Sequence, residues 1–133
     1  MKKYSTLLIL TLFVSGSCLA NSFFVDATKG DDQQNGLTPA TAWSSLSRVN
    51  SAVFKPGDTI FFKRGQQWKG TLWPKGSGSK GNRIVIAAYG EGALPSIDGE
   101  GKIVDQSIMS AGLILFNQEY WEIRDLEIRN FET

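Results

Sequence analysis

Short apolar runs, separated by polar breaks that contain glycine, fill the chain from residue 23 to residue 131. The clearest run covers residues 83–89, and residues 59–63 and 113–116 share its β-branched and aromatic character. Runs of this kind, bounded by glycine, proline, asparagine or aspartate, are typical of β-strands. The pattern therefore predicts an all-β fold with many short strands and turns.

Several shorter segments extend this pattern. In residues 126–130, Leu126 and Ile128 fall on one face of an extended strand, and Glu127 and Arg129 fall on the other. The remaining strand candidates are residues 23–25, 71–73, 96–98 and 120–123.

One short amphipathic helix is expected before the second strand. Leu46, Val49 and Val53 recur at spacings of three and four, which places them on one helical face. Ser44 or Ser45 is the expected N-cap. Residues 55–58, Lys-Pro-Gly-Asp, form the turn that ends the helix.

The connections between the strand candidates favour a solenoid. They are bends without hairpin signals such as Asn-Gly, so a meander of antiparallel strands is disfavoured. In a solenoid, a single turn cannot bury its apolar face alone, and the first turn needs a cap. The amphipathic helix near the N-terminus is suited to that position.

Residues 1–20 have the three-part pattern of a signal peptide. Lys2 and Lys3 precede an apolar core at residues 7–14, and small residues lead to Ala20. We expect cleavage before Asn21, which leaves residues 21–133 as one domain and places the protein outside the cytoplasm. Because the apolar core is too short to span a bilayer, no stable membrane span is expected. A lipoprotein attached through Cys18 is the less favoured alternative.

Composition excludes several function classes. The chain has no histidine, so it cannot build a Ser-His-Asp triad or a histidine general base. Without Lys2 and Lys3, 12 basic residues face 13 acidic ones without any run of like charge. A nucleic-acid interface, which needs a clustered basic face, is therefore not expected. Cleavage after Ala20 would also remove Cys18, the only cysteine.

Three segments resemble a known class of proteins. They are residues 24–43, which include Phe-Val-Asp and Asn-Gly-Leu-Thr-Pro-Ala-Thr-Ala-Trp, residues 55–65, Lys-Pro-Gly-Asp-Thr-Ile-Phe-Phe-Lys-Arg-Gly, and residues 84–99. Together they resemble the N-terminal cap and first coils of secreted right-handed parallel β-helix proteins, the pectate-lyase-like superfamily. The resemblance covers about residues 23–131.

The resemblance implies the N-terminal portion of a right-handed parallel β-helix with a short capping helix. Family members usually continue for many further coils, so a truncated chain is expected. A polysaccharide lyase or glycoside hydrolase is the first functional hypothesis, with this fragment itself inactive. The alternative is a non-catalytic carbohydrate-binding or surface-adhesive module, since superfamily members share this opening whatever their chemistry. Self-association through the uncapped end at residues 126–130 is also expected.

Trp68 and Trp73 are the candidate carbohydrate-binding residues. They lie in polar segments around Gly70, and flat aromatic faces pack against the C–H-rich faces of sugars. The alternative, packing in the core or at a corner of the coil, is favoured. No catalytic residue is assigned.

Three further groups of residues have a preferred structural interpretation. The acidic loop of Asp26, Asp31, Asp32 and Asn35 offers oxygen ligands but lacks the spacing of an EF-hand, so no metal site or cofactor is expected in this chain. The resemblance implies calcium only for a longer parent protein. The basic and acidic groups near the first turn (Asp58, Lys63, Arg64) fit ion pairs, and the carboxylates near the C-terminus fit a solvated strand face (Glu119, Glu122, Asp125, Glu127).

Overall fold

The computed structural model describes residues 19–103 and 110–131. Its helices are a 3-10 helix at Pro39–Thr41 and α1 at Leu46–Ser51. The first four strands are β1 (Ser22–Val25), β2 (Thr59–Lys63), β3 (Gln67–Lys69) and β4 (Ile84–Tyr89). The last three are β5 (Ser96–Asp98), β6 (Trp121–Ile123) and β7 (Glu127–Arg129).

The strands form two sheets in which all neighbours are parallel. One sheet has the order β1-β2-β4-β6, and the other has the order β3-β5-β7. From β2 onward, the chain alternates between the two sheets at every strand. The fold is thus mostly parallel sheet with little helix, as the short apolar runs predict, and it is compatible with a β-helix.

Backbone hydrogen bonds also link the segments that follow neighbouring strands of the first sheet. After β2 the chain bends at Gly65, whose φ of 77° is in the left-handed region that glycine adopts without strain. The Arg64 N–H donates to Tyr89 O at 2.9 Å, and the Gly65 N–H donates to Ala93 O at 2.8 Å. These main-chain hydrogen bonds, which lie outside the strands, join the end of β2 to the end of β4 and the segment that follows it.

The core consists of side chains that stack in register from one strand to the next. Phe23, Ile60, Ile86 and Ile123 occupy paired positions across the first sheet. Ile60 and Ile86 are completely buried, whereas Ile123 on the last strand of this sheet is 38% exposed. The inward position of this row is therefore more exposed on the last strand, which has a neighbouring strand on one side only. The main buried cluster is Val25, Trp43, Leu46, Val49, Phe54, Ile60, Phe62, Trp68, Leu72, Ile84, Ile86 and Ile97.

Helix α1 begins where the sequence predicts it and ends earlier. Ser45 is the N-cap, and its Oγ accepts a hydrogen bond from the Arg48 N–H. Leu46 and Val49 are buried, as the spacing predicts, but Val53 is 72% exposed. The prediction for Val53 is wrong because the helix stops at Ser51 and the extended chain beyond it turns Phe54 into the core instead.

Two strand predictions are also wrong. Residues 71–73 and 113–116 form no strand, and they meet only at a single parallel bridge between Leu72 and Leu113. Pro74, which follows the first segment, has no N–H to continue a ladder. Strand β3 was not predicted from the sequence, although Trp68 at its centre pairs in register with Ile97 of β5.

Candidate functional site

An aromatic patch lies on the side of the first sheet that faces away from the core. In β2, Phe61 alternates with the fully buried Ile60 and Phe62, so its side chain projects from the opposite face. Phe24 of β1 pairs in register with Phe61, and Tyr89 of β4 pairs with the next outward residue of β2, Lys63. We define Phe24, Phe61 and Tyr89 as the aromatic patch.

The rings of the aromatic patch are in direct contact. Those of Phe24 and Phe61 are stacked, with centroids 5.3 Å apart and planes 19° apart. The Tyr89 ring meets the Phe24 ring edge-on at 5.2 Å. All three side chains are half-buried. The patch therefore presents a partly accessible apolar surface of the kind that packs against sugar rings.

The Tyr89 hydroxyl gives the patch a polar group. It is buried and has no hydrogen-bond partner among the described residues. Burial, together with the negative charge of Asp26, raises the pKa of Tyr89 to about 12. The hydroxyl is therefore a neutral donor and acceptor at physiological pH.

A buried carboxylate lies beside the patch. Asp26 follows β1, and its Oδ2 accepts a hydrogen bond from the Lys63 ammonium at 2.7 Å. Its Oδ1 accepts from Gln66 Nε2 at 2.8 Å and from the backbone N–H groups of Thr28 and Lys29. Burial would raise the pKa of Asp26, but these hydrogen bonds together hold the pKa well below its usual value. Asp26 is therefore ionised at neutral pH, and it joins the acidic loop to β2.

The structure places the two predicted sugar-stacking tryptophans in different environments. Trp68 is 5% exposed, its ring meets Phe62 edge-on, and its indole N–H donates to Ser44 O at 2.9 Å. This position agrees with the packing alternative and leaves little ring surface for a ligand. Trp73 is half-buried, and Lys75 Nζ lies 4.0 Å from its ring centroid. The two residues do not form one platform.

The acidic loop uses its oxygens for local hydrogen bonds. Asp32 accepts from the N–H groups of Ser44 and Ser45 and from Ser45 Oγ, and Asp31 accepts from the Gln33 N–H. Asn35 accepts from the Leu37 N–H and from Thr41 Oγ1. Within residues 19–103 and 110–131, no group of three or more acidic, histidine or cysteine side chains is arranged to hold a metal ion.

The charged groups near the first turn are not brought together. Lys63 pairs with Asp26, whereas Arg64 lies 3.9 Å from Asp125. Asp58 accepts backbone hydrogen bonds at the other end of β2. Ion pairing, the interpretation that the sequence favours for all three groups, is confirmed for Lys63 and Arg64. It is wrong for Asp58, which accepts hydrogen bonds from backbone N–H groups and has no basic side chain as a partner among the described residues.

The C-terminal carboxylates have arginine partners or lie at the surface. Glu122 is within 3.5 Å of both Arg83 and Arg124, and Glu127 is 2.8 Å from Arg129. Glu119 is exposed. An open cleft of about 530 Å³ borders Glu122 and is lined by Ala20, Gly57, Gly81, Asn82, Arg83, Val85 and Glu122.

Comparison with known proteins finds similarity at the level of structure. Neither a protein-family model nor a curated protein sequence matches the chain. Among solved structures, a selenomethionine derivative of the GH136 lacto-N-biosidase from Eubacterium ramulus matches with a TM-score of 0.69 and 29% identity. The native form of that enzyme matches with a TM-score of 0.67 and 26% identity.

Both matches cover 80% of this chain but only 20% of the solved chain. The chain thus spans about a fifth of the length of these structures. The likeness supports a relationship to carbohydrate-active, β-helix-like proteins, and it does not single out the pectate-lyase-like superfamily. No helix within the described residues is long and apolar enough to cross a membrane.

Proposed function

We propose that this chain is the N-terminal part of an exported, carbohydrate-active protein built on a right-handed parallel β-helix, and that the chain alone is not catalytic. Membership of the pectate-lyase-like superfamily is part of the proposal. The observation that carries it is the regular alternation of in-register parallel strands between two sheets. The structural likeness to a lacto-N-biosidase favours a glycoside hydrolase over a lyase as the parent activity.

Three of the described carboxylates have partners that do not favour catalysis by this part alone. A glycoside hydrolase needs two carboxyl groups placed on either side of the scissile bond, one of them able to give up a proton. Glu122 and Glu127 have arginine partners, and Asp26 is held ionised by Lys63 and Gln66. All three carboxylates are thus paired with basic side chains.

The experiment is a screen of the purified protein against a glycan panel. The panel contains pectin, alginate, glycosaminoglycan, xylan and glycans that end in lacto-N-biose, with and without calcium. Reducing ends report hydrolysis, and absorbance of unsaturated products reports a lyase reaction. We expect binding to at least one glycan without turnover. Turnover of any substrate would contradict the inactive state of this chain, and unsaturated products would overturn the hydrolase assignment.

A non-catalytic carbohydrate-binding module is the second candidate, and the aromatic patch favours it. If the patch binds sugar, replacing Phe61 with alanine should weaken glycan binding by about three- to tenfold, the value of one aromatic stacking contact. Isothermal titration with the best glycan of the panel measures this change.

The matched control is Phe116→Ala, which removes an aromatic side chain that is 59% exposed and lies outside the patch. Its affinity should equal that of the unmodified chain. Trp73→Ala tests the remaining sugar-stacking candidate. Loss of binding with Trp73→Ala and not with Phe61→Ala would move the site from the patch to Trp73.

Self-association is expected at the end of the molecule formed by β6 and β7. These strands are the last in their sheets, and Ile123, Ile128 and Phe131 are 38%, 42% and 67% exposed. Strand edges with exposed apolar side chains pair with other chains, and lysine prevents such pairing. Ile128→Lys should therefore raise the dissociation constant of the self-associated form at least about tenfold.

Light scattering coupled to size-exclusion chromatography measures the association over a concentration series. Leu37→Lys is the control, since Leu37 is 44% exposed but lies two residues after Asn35, outside β6 and β7. A monomer at all concentrations, or equal effects of the two lysines, would contradict association through this end.

Export is proposed from the sequence of residues 1–20, and the mature chain is proposed to begin at Asn21 in the periplasm, at the cell surface or in the medium. Residues 1–18, which include the alternative lipid attachment site Cys18, lie outside the described residues. Mass spectrometry of the exported protein distinguishes cleavage before Asn21 from lipidation of Cys18.

A further inference from the structure

Asp58 is a buried carboxylate whose hydrogen bonds come from backbone groups. Only 2% of its surface is exposed. Its Oδ2 accepts a hydrogen bond from the Lys55 N–H at 2.8 Å, which closes the turn before β2. Its Oδ1 accepts a hydrogen bond from the backbone nitrogen of Asn21 at 2.9 Å.

Asp58 differs in this respect from the other deeply buried aspartate. Asp26 has the Lys63 ammonium as its counterion. Within the part of the chain that the structure describes, no lysine or arginine side chain forms an ion pair with Asp58. A buried carboxylate without a cation is costly, because it gives up hydration without gaining a counter-charge.

The nitrogen that reaches Asp58 belongs to the residue that follows the expected cleavage site. As long as residues 1–20 remain attached, this nitrogen is an amide with one proton. Hydrolysis of the Ala20–Asn21 peptide bond adds one water molecule, so that Ala20 gains a carboxylate and Asn21 an amine, which is protonated at neutral pH. The same nitrogen then carries a positive charge and three donor protons.

We propose that Asp58 is the built-in counterion for the α-ammonium group of Asn21, so that removal of residues 1–20 creates a buried-carboxylate ion pair that stabilises the mature fold. The inference rests on the export proposed above. It assigns Asp58 a role in maturation that is separate from any carbohydrate site.

The register of β1 makes this pairing specific for Asn21. The Thr59 N–H donates to Asn21 O at 2.9 Å, and Ser22 pairs with Thr59 at the start of the β1–β2 ladder. Since a strand advances about 3.3 Å per residue, an amine at residue 20 or 22 would be displaced beyond hydrogen-bonding distance.

The junction is also accessible in the folded chain. Leu19 is 82% exposed, and Ala20 and Asn21 are exposed as well. Ala20 lies against the turn at Gly57, where a Cβ on the glycine would meet Ala20 Cβ at 3.0 Å. Ala20 can therefore leave without disturbing the core.

The first measurement is the N-terminus of the exported protein by mass spectrometry. A chain that begins at Asn21 is expected. Retention of Met1 would overturn the proposed export, and a different cleavage position would overturn the pairing alone.

The second measurement is a cycle of four purified chains, which begin at Leu19 or Asn21 and carry Asp58 or Asp58→Asn. With Asp58, the chain that begins at Asn21 should have an unfolding equilibrium constant roughly tenfold or more below that of the chain that begins at Leu19, as expected for a hydrogen bond between charged groups. With Asp58→Asn, the two starting points should give the same constant. An equal effect of Asp58→Asn on both chains would show a structural role only and would overturn the ion pair.

The third measurement uses only chains with Asp58 and so does not depend on the folding of the variant. Reductive methylation should modify the Asn21 amine about tenfold more slowly in the native chain than after unfolding in urea, because the amine is held by a carboxylate. The amine of the chain that begins at Leu19 should react equally fast in both states. Equal rates for the Asn21 amine would overturn the proposal. Asp31→Asn is the matched control for the Asp58→Asn variants of the second measurement. This exposed carboxylate also accepts a backbone hydrogen bond, but it lies in the acidic loop.

Discussion

Replacing Gly76 with alanine is expected to lower the free energy of unfolding by about 3–5 kcal/mol, from backbone strain and overpacking acting together. Gly76 has a φ of 114°, which a residue with a side chain rarely adopts. An added Cβ would also overlap the carbonyl oxygen of Phe54, which is backbone and cannot rotate away. Urea unfolding followed by tryptophan fluorescence measures the change.

The control for this prediction is Gly81→Ala. Gly81 has a φ of 80°, but a Cβ there would meet no atom within 4 Å. Only the cost of the left-handed conformation remains, about 1–2 kcal/mol. Equal destabilisation by the two alanines would show that the close approach to Phe54 contributes nothing.

The position of Gly76 explains why it matters for the proposed cap. The Phe54 N–H donates to Lys75 O at 2.9 Å, and the Trp121 indole N–H donates to Gly76 O at 2.9 Å. The segment around Gly76 therefore joins the chain that follows α1 to the last strand of the first sheet. Displacing this segment would weaken both of these connections.

The sequence predicts every described strand except β3, and it predicts most clearly the strands with continuous apolar character. Residues 59–63 and 84–89 have enough β-branched and aromatic side chains to favour extended structure, and both form strands. Strand β3 carries only Trp68 between two polar residues. It is extended because β5 pairs with it, which is a long-range effect that local pattern does not contain.

The error at residues 113–116 has the opposite cause. Four consecutive apolar residues have a high preference for a strand, but the segment next to them offers only Leu72 for a bridge. Ile114 is 7% exposed and Phe116 is 59% exposed, so only part of the run enters the core. Local preference without a partner strand did not produce a ladder.

The candidate site was less predictable than the fold. Phe24, Phe61 and Tyr89 are far apart in the sequence, and only the register of three parallel strands brings them to one face. Thr59 and Lys63, two positions before and after Phe61, are polar and share its strand face, and this was a usable signal for an outward aromatic residue. The partners of Asp26 could not be predicted, because Lys63 at the end of β2 and Gln66 just after it are far from Asp26 in the sequence.

Asp26→Asn is expected to lower the free energy of unfolding by about 3 kcal/mol at pH 7, because it removes the charged acceptor of the hydrogen bonds from Lys63 and Gln66. The amide keeps one acceptor oxygen but places an N–H₂ group against a second donor, the Lys63 ammonium or Gln66 Nε2. Urea unfolding of both proteins between pH 7 and pH 3 measures the difference.

The sign of the pH dependence follows from the lowered pKa of Asp26 in the folded protein. Above the ordinary aspartate pKa of about 3.9, the carboxylate is ionised in both states and its stabilisation is fully present. As the pH falls below that value, the unfolded chain binds the proton first, and the stabilisation is progressively lost. The difference between the two proteins should therefore be constant from pH 7 to pH 5 and shrink below about pH 4.

Two comparisons separate the ion pair at Asp26 from other acid effects. Asp31→Asn removes an exposed carboxylate, and its stability difference should stay within about 0.5 kcal/mol at every pH. Lys63→Met removes the cation and leaves Asp26 with the N–H groups of Gln66, Thr28 and Lys29. Because the ammonium is one of the causes of the lowered pKa, the pH at which the carboxylate loses its stabilising effect should rise in Lys63→Met. A difference between Asp26→Asn and the unmodified protein that persists unchanged at pH 3 would show that shape, and not charge, makes Asp26 necessary for the fold.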